Sequence, residues 1–150
     1  MENLWSQKMI NFVKGDLFES DCEVLVNAVN PIGMMGGGIA RQFAIRYPEM
    51  EQKYIEACKN GHYNTHNVLF LKSGDKLIAN LLTVDENIES NYCLIADSLK
   101  AIKNHLPNYY KSLAFPMIGC GIGGLDKEKV KSMFEEILGD CEERIDVYDC

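Results

Sequence analysis

The residues whose types and spacing most suggest a binding site form a glycine-rich loop between an apolar run and a helical pattern. Residues 30–38 read Asn-Pro-Ile-Gly-Met-Met-Gly-Gly-Gly, so that Gly36, Gly37 and Gly38 are consecutive. Glycines let the backbone approach a ligand closely, and a helix that starts just after them offers unpaired N–H groups and a partial positive charge. This combination favours a bound anion such as a pyrophosphate. The alternative is a tight strand-to-helix turn that holds no ligand.

A second loop begins at Gly119 and reads Gly-Cys-Gly-Ile-Gly-Gly. Gly119, Gly121 and Gly124 fit the G-x-G-x-x-G pattern of Rossmann dinucleotide sites, and Asp146 and Asp149 stand near the distance at which that fold needs an acid. The residues after the loop are too few for the further strand–helix units of a Rossmann fold. No Gly-Lys-Ser/Thr follows either loop, which excludes a Walker A site. Alone the second motif is weak, but beside the first it strengthens the prediction of a diphosphate site.

A few polar and aromatic residues could complete such a site. Asp16 follows a short apolar run, where its carboxylate could accept from an exocyclic amine or could cap a helix. Asn27 and Asn30 lie near the end of the most apolar strand and could bind sugar hydroxyls, although an Asn before Pro31 is also typical of a turn. Tyr148 ends the last predicted strand and could stack on a purine or belong to the core.

The cysteines show no pattern of metal ligands or of disulfides. They are Cys22, Cys58, Cys93, Cys120, Cys141 and Cys150. None belongs to a Cys-x-x-Cys pair, and no histidine lies at zinc-finger spacing from them. We therefore expect free, mostly buried thiols and no metal site. Cys120 lies within the second glycine loop and is the thiol whose reactivity is of interest.

The apolar periodicity indicates which elements would position these residues. It predicts strands at 9–13, 22–29, 68–71, 77–82, 113–118 and 144–148, and helices at 38–47, 48–59, 92–105 and 126–138. This alternation predicts an α/β fold whose mixed, mostly parallel sheet carries helices on both faces. Ligands of such sheets bind beyond the carboxyl ends of the strands. Both glycine loops follow the end of a predicted strand.

Length and composition are those of one ordinary domain over residues 1–150, with 47% hydrophobic and 25% charged residues. No apolar run approaches the roughly 18 residues of a membrane span, and the first residues lack the pattern of a signal peptide. We expect a cytoplasmic protein without membrane contacts, and a monomer. The net charge of −7 and the absence of a basic cluster predict no direct affinity for nucleic acid.

Four ordered blocks of this sequence together resemble the macrodomain family. They are residues 15–17 (Gly-Asp-Leu), 26–30 (Val-Asn-Ala-Val-Asn), 36–40 (Gly-Gly-Gly-Ile-Ala) and 116–123 (Pro-Met-Ile-Gly-Cys-Gly-Ile-Gly). The resemblance runs from about residue 9 to 148. The stretch 38–58 is most similar to the branch that holds ADP-ribose-1″-phosphate phosphatases, terminal ADP-ribose glycohydrolases and DNA-deADP-ribosylating antitoxins. It implies a three-layer α/β/α fold, ADP-ribose as ligand, and no metal or redox cofactor.

The resemblance also implies roles for single residues. Asp16 would bind the adenine amine, Tyr148 would cover the adenine, Asn30 would hold the distal ribose and act in catalysis, and the two glycine loops would surround the diphosphate. The ligand-binding set implied in this way is Asp16, Leu17, Asn27, Asn30, Gly36, Gly37, Gly38, Ile39, Ile118, Gly119, Cys120, Gly121, Ile122, Gly123 and Tyr148.

The catalytic positions of the resembling branch are not filled. Ala40 stands where one hydrolase type has an aspartate, Val84 where the glycohydrolases and antitoxins have a lysine, and Gly123 where the glycohydrolase has an aspartate. The histidine that the phosphatase type carries near Asn27 is also missing. A Schiff-base mechanism at Val84 would therefore have no nucleophile. Hydrolysis could still proceed if the second loop and a ligand phosphate position a water.

Three classes of function follow from these observations. The first is a hydrolase that removes ADP-ribose from a macromolecule or acts on an ADP-ribose derivative, the phosphatase reaction included. The second is a binding module that recognises or sequesters ADP-ribose or a related nucleotide derived from NAD. The third, disfavoured by the missing Rossmann units, is a truncated dinucleotide-dependent oxidoreductase.

Overall fold

The computed structural model describes residues 10–121 and 123–149. A six-stranded sheet forms its centre, with the spatial order β1-β6-β5-β2-β4-β3. The strands are β1 (Ile10–Val13), β2 (Val24–Val29), β3 (Val68–Ser73), β4 (Lys76–Leu82), β5 (Ser112–Pro116) and β6 (Arg144–Tyr148). All neighbouring pairs are parallel except β3 and β4. The predicted mixed, mostly parallel sheet is confirmed.

Four α-helices connect the strands. They are α1 (Gly38–Arg46), α2 (Pro48–Lys59), α3 (Tyr92–His105) and α4 (Lys127–Leu138). Their starts follow local chemistry: Pro48 occupies the first turn of α2, while Asn91 and Asp126 cap α3 and α4 by accepting hydrogen bonds from the N–H groups of Leu94 and Lys129. Within the described residues, none of these helices is long and apolar enough to cross a membrane.

Side chains that alternate along β2 fill two separate cores. Val24 and Val26 belong to the core beneath α3 and α4, which also contains Phe115, whereas Leu25 and Ala114 belong to the core beneath α1 and α2. A strand that is buried on both faces in this way is typical of the centre of an α/β sheet. The predicted three-layer α/β/α arrangement is therefore confirmed.

Several predicted boundaries were wrong by a few residues. The strand expected to begin at Cys22 begins at Val24, and the strand expected to reach Ile118 ends at Pro116. Proline has no N–H for the ladder, and the backbone turns shortly afterwards at Gly119, whose φ is +76°. Because of this turn, Ile118 belongs to the second loop and its side chain is buried.

Candidate functional site

The two glycine loops leave neighbouring strands at the same edge of the sheet. The first follows β2 and the second follows β5, and these strands are parallel neighbours. The first loop leads to α1 on one face of the sheet, and the second leads to α4 on the other face. A pair of adjacent strands whose connections go to opposite faces is the switch point at which open α/β sheets bind ligands. The crevice between the loops is therefore the candidate site.

Asn30 organises the first loop. Its side-chain Oδ1 accepts from the N–H groups of Ile32 at 3.0 Å and Met34 at 3.4 Å, and its Nδ2 donates to the Met34 carbonyl at 2.8 Å. The hydroxyl of Tyr54 in α2 lies 3.0 Å from the same Oδ1 and 2.6 Å from the Asn30 backbone carbonyl. Asn30 thus both forms the turn expected of an Asn before proline and remains half-buried beside the crevice.

The glycine run at the end of this loop is open to solvent. Gly36, Gly37 and Gly38 are all exposed, and a Cβ built on any of them would meet no other atom within 4 Å. Gly37 is the N-cap of α1 and has no side chain to bond the first N–H groups of that helix. These N–H groups are the donors that an anion can use. Ile39, one residue further, is half-buried against the core of α1 and α2.

The second loop contains glycines of two kinds. A Cβ on Gly119 would lie 2.9 Å from a methyl of Leu125, and one on Gly123 would lie 2.7 Å from the Gly119 carbonyl and 2.8 Å from Cβ of Ser90. The fold itself requires glycine at these two positions. Gly121 is exposed, with nothing within 4 Å of its added Cβ. Ile122, expected to contribute to the site, lies outside the described residues.

Cys120 does not have the character of an activated thiol. It is half-buried, its Sγ donates to the Ile118 carbonyl at 3.4 Å, and burial raises the pKa of the thiol. A raised pKa lowers the thiolate fraction at neutral pH, and the thiolate is the reactive form. Among the described residues, no group of three or more His, Cys, Asp or Glu side chains is placed to hold a metal ion.

Asp16 and Tyr148, the residues expected at the adenine, lie on neighbouring strand ends. β1 pairs with β6 so that Val13 faces Tyr148, and an added Cβ on Gly15 would lie 3.9 Å from the Tyr148 ring. Asp16 is exposed and caps the 3₁₀ turn Leu17–Glu19, since its Oδ1 accepts from the Phe18 N–H at 3.0 Å. One carboxylate oxygen caps the turn, so the other can accept from an amine. Leu17 is buried.

Asn27 is held differently from Asn30. It lies inside β2 and has no exposed surface, and its Nδ2 donates to Oδ1 of Asn80 on β4 at 3.0 Å. Its position in the central strand explains its burial, because both faces of β2 are covered by helices, whereas Asn30 lies one residue beyond the strand end. A ligand in the crevice would not reach the Asn27 side chain in this conformation.

The residues at the expected catalytic positions offer no acid, base or nucleophile. Ala40 is buried in α1, and Val84 lies half-buried two residues beyond the end of β4. A cavity of about 150 Å³ exists elsewhere, at the amino ends of β5 and β6, and is lined by Ile102, Leu113 and Ile145 among others. It lies at the edge of the sheet opposite the glycine loops, so it belongs to neither loop.

The chain matches a known protein family. The family model described as Macro domain matches residues 26–134, which is more than half of the chain. This chain belongs to the macrodomain family. The resemblance seen in the sequence is therefore confirmed.

Three macrodomain relatives are informative. A DNA ADP-ribosyl glycohydrolase of Mycobacterium tuberculosis is 39% identical over 129 residues, which cover 82% of this chain and 37% of that protein. The human ADP-ribose glycohydrolase OARD1 is 32% identical over 93% of this chain and 90% of its own length. The solved structure of Thermosipho africanus DarTG in complex with ADP-ribose has a TM-score of 0.85, with 26% identity over 93% of this chain and 41% of that one.

The coverage of these relatives differs. The chain spans only 37–38% of the length of the first three curated relatives, which are all DNA ADP-ribosyl glycohydrolases. The matched part of those proteins corresponds to nearly the whole of this chain, whereas OARD1 is similar to it in extent.

Proposed function

We propose that this macrodomain binds ADP-ribose in the crevice between its two glycine loops. The observation that carries the proposal is the pair of exposed glycines Gly36 and Gly37, together with Gly121 in the opposite loop. None of the three has a positive φ, and a Cβ on each would meet no protein atom. The fold does not require glycine at these positions, but a ligand that approaches the backbone closely does.

The arrangement of the other groups supports one orientation of the ligand. The adenine would lie at the ends of β1 and β6, between the carboxylate of Asp16 and the ring of Tyr148. The diphosphate would accept hydrogen bonds from the N–H groups at the start of α1 and in the second loop. The distal ribose would then face Asn30 at the end of β2.

We further propose that the bound ADP-ribosyl group is released slowly by hydrolysis. The support is the similarity to proteins named as ADP-ribosyl glycohydrolases over 82–93% of this chain. Ala40, Val84 and Gly123 occupy the catalytic positions of the resembling branch, and none of these residues has a side chain that can take or give a proton. The rate enhancement would come from Asn30 orienting the ribose, from backbone N–H groups that stabilise developing charge, and from a water held between the second loop and a ligand phosphate. That phosphate would accept the proton of the attacking water.

Calorimetric titration with ADP-ribose tests the binding proposal. We expect the wild type to bind and Gly37→Glu to lose binding, because a carboxylate at Gly37 would occupy and repel the diphosphate position. The substitution should leave the fold intact, since φ of Gly37 is −156° and its Cβ position is open. Asn104→Glu is the matched control, because it adds the same charge at an exposed site near the end of α3. Absence of binding by the wild type would contradict the proposal.

The same preparations test hydrolysis. Each protein is incubated with a glutamate-ADP-ribosylated protein and with ADP-ribosylated DNA, and released ADP-ribose is quantified. Release by the wild type and Asn104→Glu, but not by Gly37→Glu, would assign hydrolysis to this crevice. Binding without release from either substrate would favour the binding-module alternative. A preference for NAD over ADP-ribose would instead favour the oxidoreductase alternative.

A further inference from the structure

Tyr54 connects the helix α2 to the loop that carries Asn30. Its ring has no exposed surface and packs edge-on against Tyr63 at 6.2 Å between ring centroids. Its hydroxyl lies 2.6 Å from the backbone carbonyl of Asn30 and 3.0 Å from the side-chain Oδ1 of the same residue. A buried tyrosine hydroxyl needs one acceptor. The backbone carbonyl would satisfy it, so the contact with the side chain calls for a separate explanation.

The contacts around the Asn30 amide define which way it points. Oδ1 faces donors, namely the Tyr54 hydroxyl and the N–H groups of Ile32 and Met34, while Nδ2 donates to the Met34 carbonyl at 2.8 Å. If the amide flipped, Oδ1 would oppose the Met34 carbonyl and Nδ2 would oppose three donors. An amide nitrogen carries two hydrogens. Since the Met34 carbonyl takes one, the second remains to be donated to a ligand hydroxyl.

The Tyr54 hydroxyl must be the donor in this network. Both atoms that it contacts on Asn30 are acceptors once the amide is oriented as described. Burial raises the pKa of the Tyr54 phenol well above its usual value, so the hydroxyl keeps its proton throughout the neutral range. The same hydroxyl also interacts with the Cys58 thiol. Its contacts with two oxygens of a single residue hold the Asn30 backbone and side chain in a fixed relation.

We propose that Tyr54 is a positioning residue for Asn30: it orients the Asn30 amide so that Nδ2 donates to a hydroxyl of the distal ribose of the ligand. The inference rests on the proposed function for the identity of the ligand. Tyr54 does not contact the ligand in this scheme. It acts from the far side of the loop, before ADP-ribose arrives.

A double-mutant cycle tests whether Tyr54 acts through Asn30. We expect Tyr54→Phe, which removes only the hydroxyl, to weaken ADP-ribose binding about fivefold to tenfold, as for one hydrogen bond. In the Asn30→Ala background the same change should have a clearly smaller effect on the dissociation constant, since only the contact with the backbone carbonyl is then lost. Tyr63→Phe is the matched control, because it also removes a buried hydroxyl from the core beneath α1 and α2. The Tyr63 hydroxyl donates to the Asn80 carbonyl at 2.9 Å and not to Asn30.

A second readout covers the case in which Asn30→Ala binds too weakly for the cycle. The side-chain amide signals of Asn30 in a ¹H–¹⁵N spectrum, assigned by their loss in Asn30→Ala, should shift in Tyr54→Phe and stay in place in Tyr63→Phe. Thermal unfolding of both phenylalanine variants checks that they are folded to the same extent.

The outcomes separate this inference from the proposed function. No binding of ADP-ribose by the wild type would overturn both. Binding by the wild type with equal weakening of Tyr54→Phe and Tyr63→Phe would overturn the inference alone, because loss of core stability would explain it. An effect of Tyr54→Phe that is undiminished in the Asn30→Ala background, or unmoved Asn30 amide signals, would also overturn it.

Discussion

The buried side chain of Asn27 faces Asn80 at the register position where β2 pairs with β4. Its Nδ2 donates to Asn80 Oδ1 at 3.0 Å, while its own Oδ1 has no hydrogen-bond partner among the described residues. The Nδ2 of Asn80 makes long contacts, each 3.5 Å, with the Met50 sulfur and the Leu69 carbonyl. This pair therefore belongs to the fold rather than to the surface of the crevice.

Removing one member of the pair should be costly for stability. We expect Asn80→Ala to lower the free energy of unfolding by about 2 kcal/mol, because it leaves the buried Asn27 Nδ2 without its acceptor. Urea titration measures the change, with exposed Asn104→Ala as the control. Equal midpoints for the two variants would show that the amide pair contributes little.

Gly119 and Gly121 in the second loop should differ in how substitution by alanine affects the stability of the protein. Gly119→Ala should destabilise the protein by about 1–3 kcal/mol, because φ is +76° and the new methyl would lie 2.9 Å from Leu125. Gly121→Ala should leave the melting temperature unchanged, since its Cβ position is open. Thermal unfolding of both variants measures this difference. A stable Gly119→Ala protein would mean that the loop rearranges.

The sequence predicted the positions of the two glycine loops in the fold better than it predicted the surroundings of single residues. The glycine runs and their place after strands could be recognised because glycine and apolar periodicity are local signals. The burial of Asn27 could not, since it depends on pairing with Asn80, more than fifty residues away. Tyr54 was missed for the same reason. Its place in the predicted helix over 48–59 carries no local sign of a link to Asn30, and only the folded chain brings its hydroxyl there.

At the scale of elements, local capping signals gave accurate helix boundaries. The predicted helices over 48–59 and 92–105 are α2 and α3, and the expected cap at Asp126 accepts from the Lys129 N–H at 3.1 Å. The strand order and the antiparallel placement of β3 depend on contacts distant in sequence, which periodicity does not encode. For this reason the class of sheet could be predicted, but its order could not.

The contribution of the Asp126 cap of α4 to stability can be tested with two substitutions, one of which keeps a hydrogen-bond acceptor. Asp126→Ala should lower the free energy of unfolding by about 1 kcal/mol, because the N–H group of Lys129 loses its acceptor. Asp126→Ser should retain most of the stability, since a serine hydroxyl can take the same hydrogen bond. Chemical denaturation of the two variants gives the comparison. Equal losses would indicate that charge at the helix start matters more than the hydrogen bond.

The charge of the whole molecule bears on its affinity for nucleic acid. With a net charge of −7, it should show no tight, salt-sensitive complex with unmodified DNA. Fluorescence anisotropy of a labelled oligonucleotide at low and moderate salt measures this. If ADP-ribosylated DNA binds and plain DNA does not, the affinity comes from the ADP-ribose group. Tight binding of plain DNA that weakens steeply with salt would contradict the expectation.

Two ion pairs predict how stability changes in acid. The Arg144 guanidinium that bonds Asp21, and the Lys127 ammonium that bonds Asp149, lower the pKa of each carboxyl below its ordinary value. A lowered native pKa contributes stability above the unfolded pKa of about 3.9, and the contribution is lost as the pH falls through the native value. Melting temperatures between pH 2 and 7 should therefore fall in the acid range, and less steeply for Asp149→Asn. An identical profile for this variant would mean that the Lys127 pair contributes nothing.

The departure of the two glycine loops to opposite faces of the sheet has a thermodynamic consequence. The first loop leads into α1, whose side chains pack in the core beneath α1 and α2. The second loop leads into α4, whose side chains pack in the core beneath α3 and α4. A nucleotide seated between the loops would therefore contact segments that belong to both halves of the molecule. Its binding energy would stabilise both halves against global unfolding. If the amides of buried Phe43 in α1 and Phe134 in α4 exchange through global unfolding, the exchange of both should slow by the same factor when the nucleotide binds.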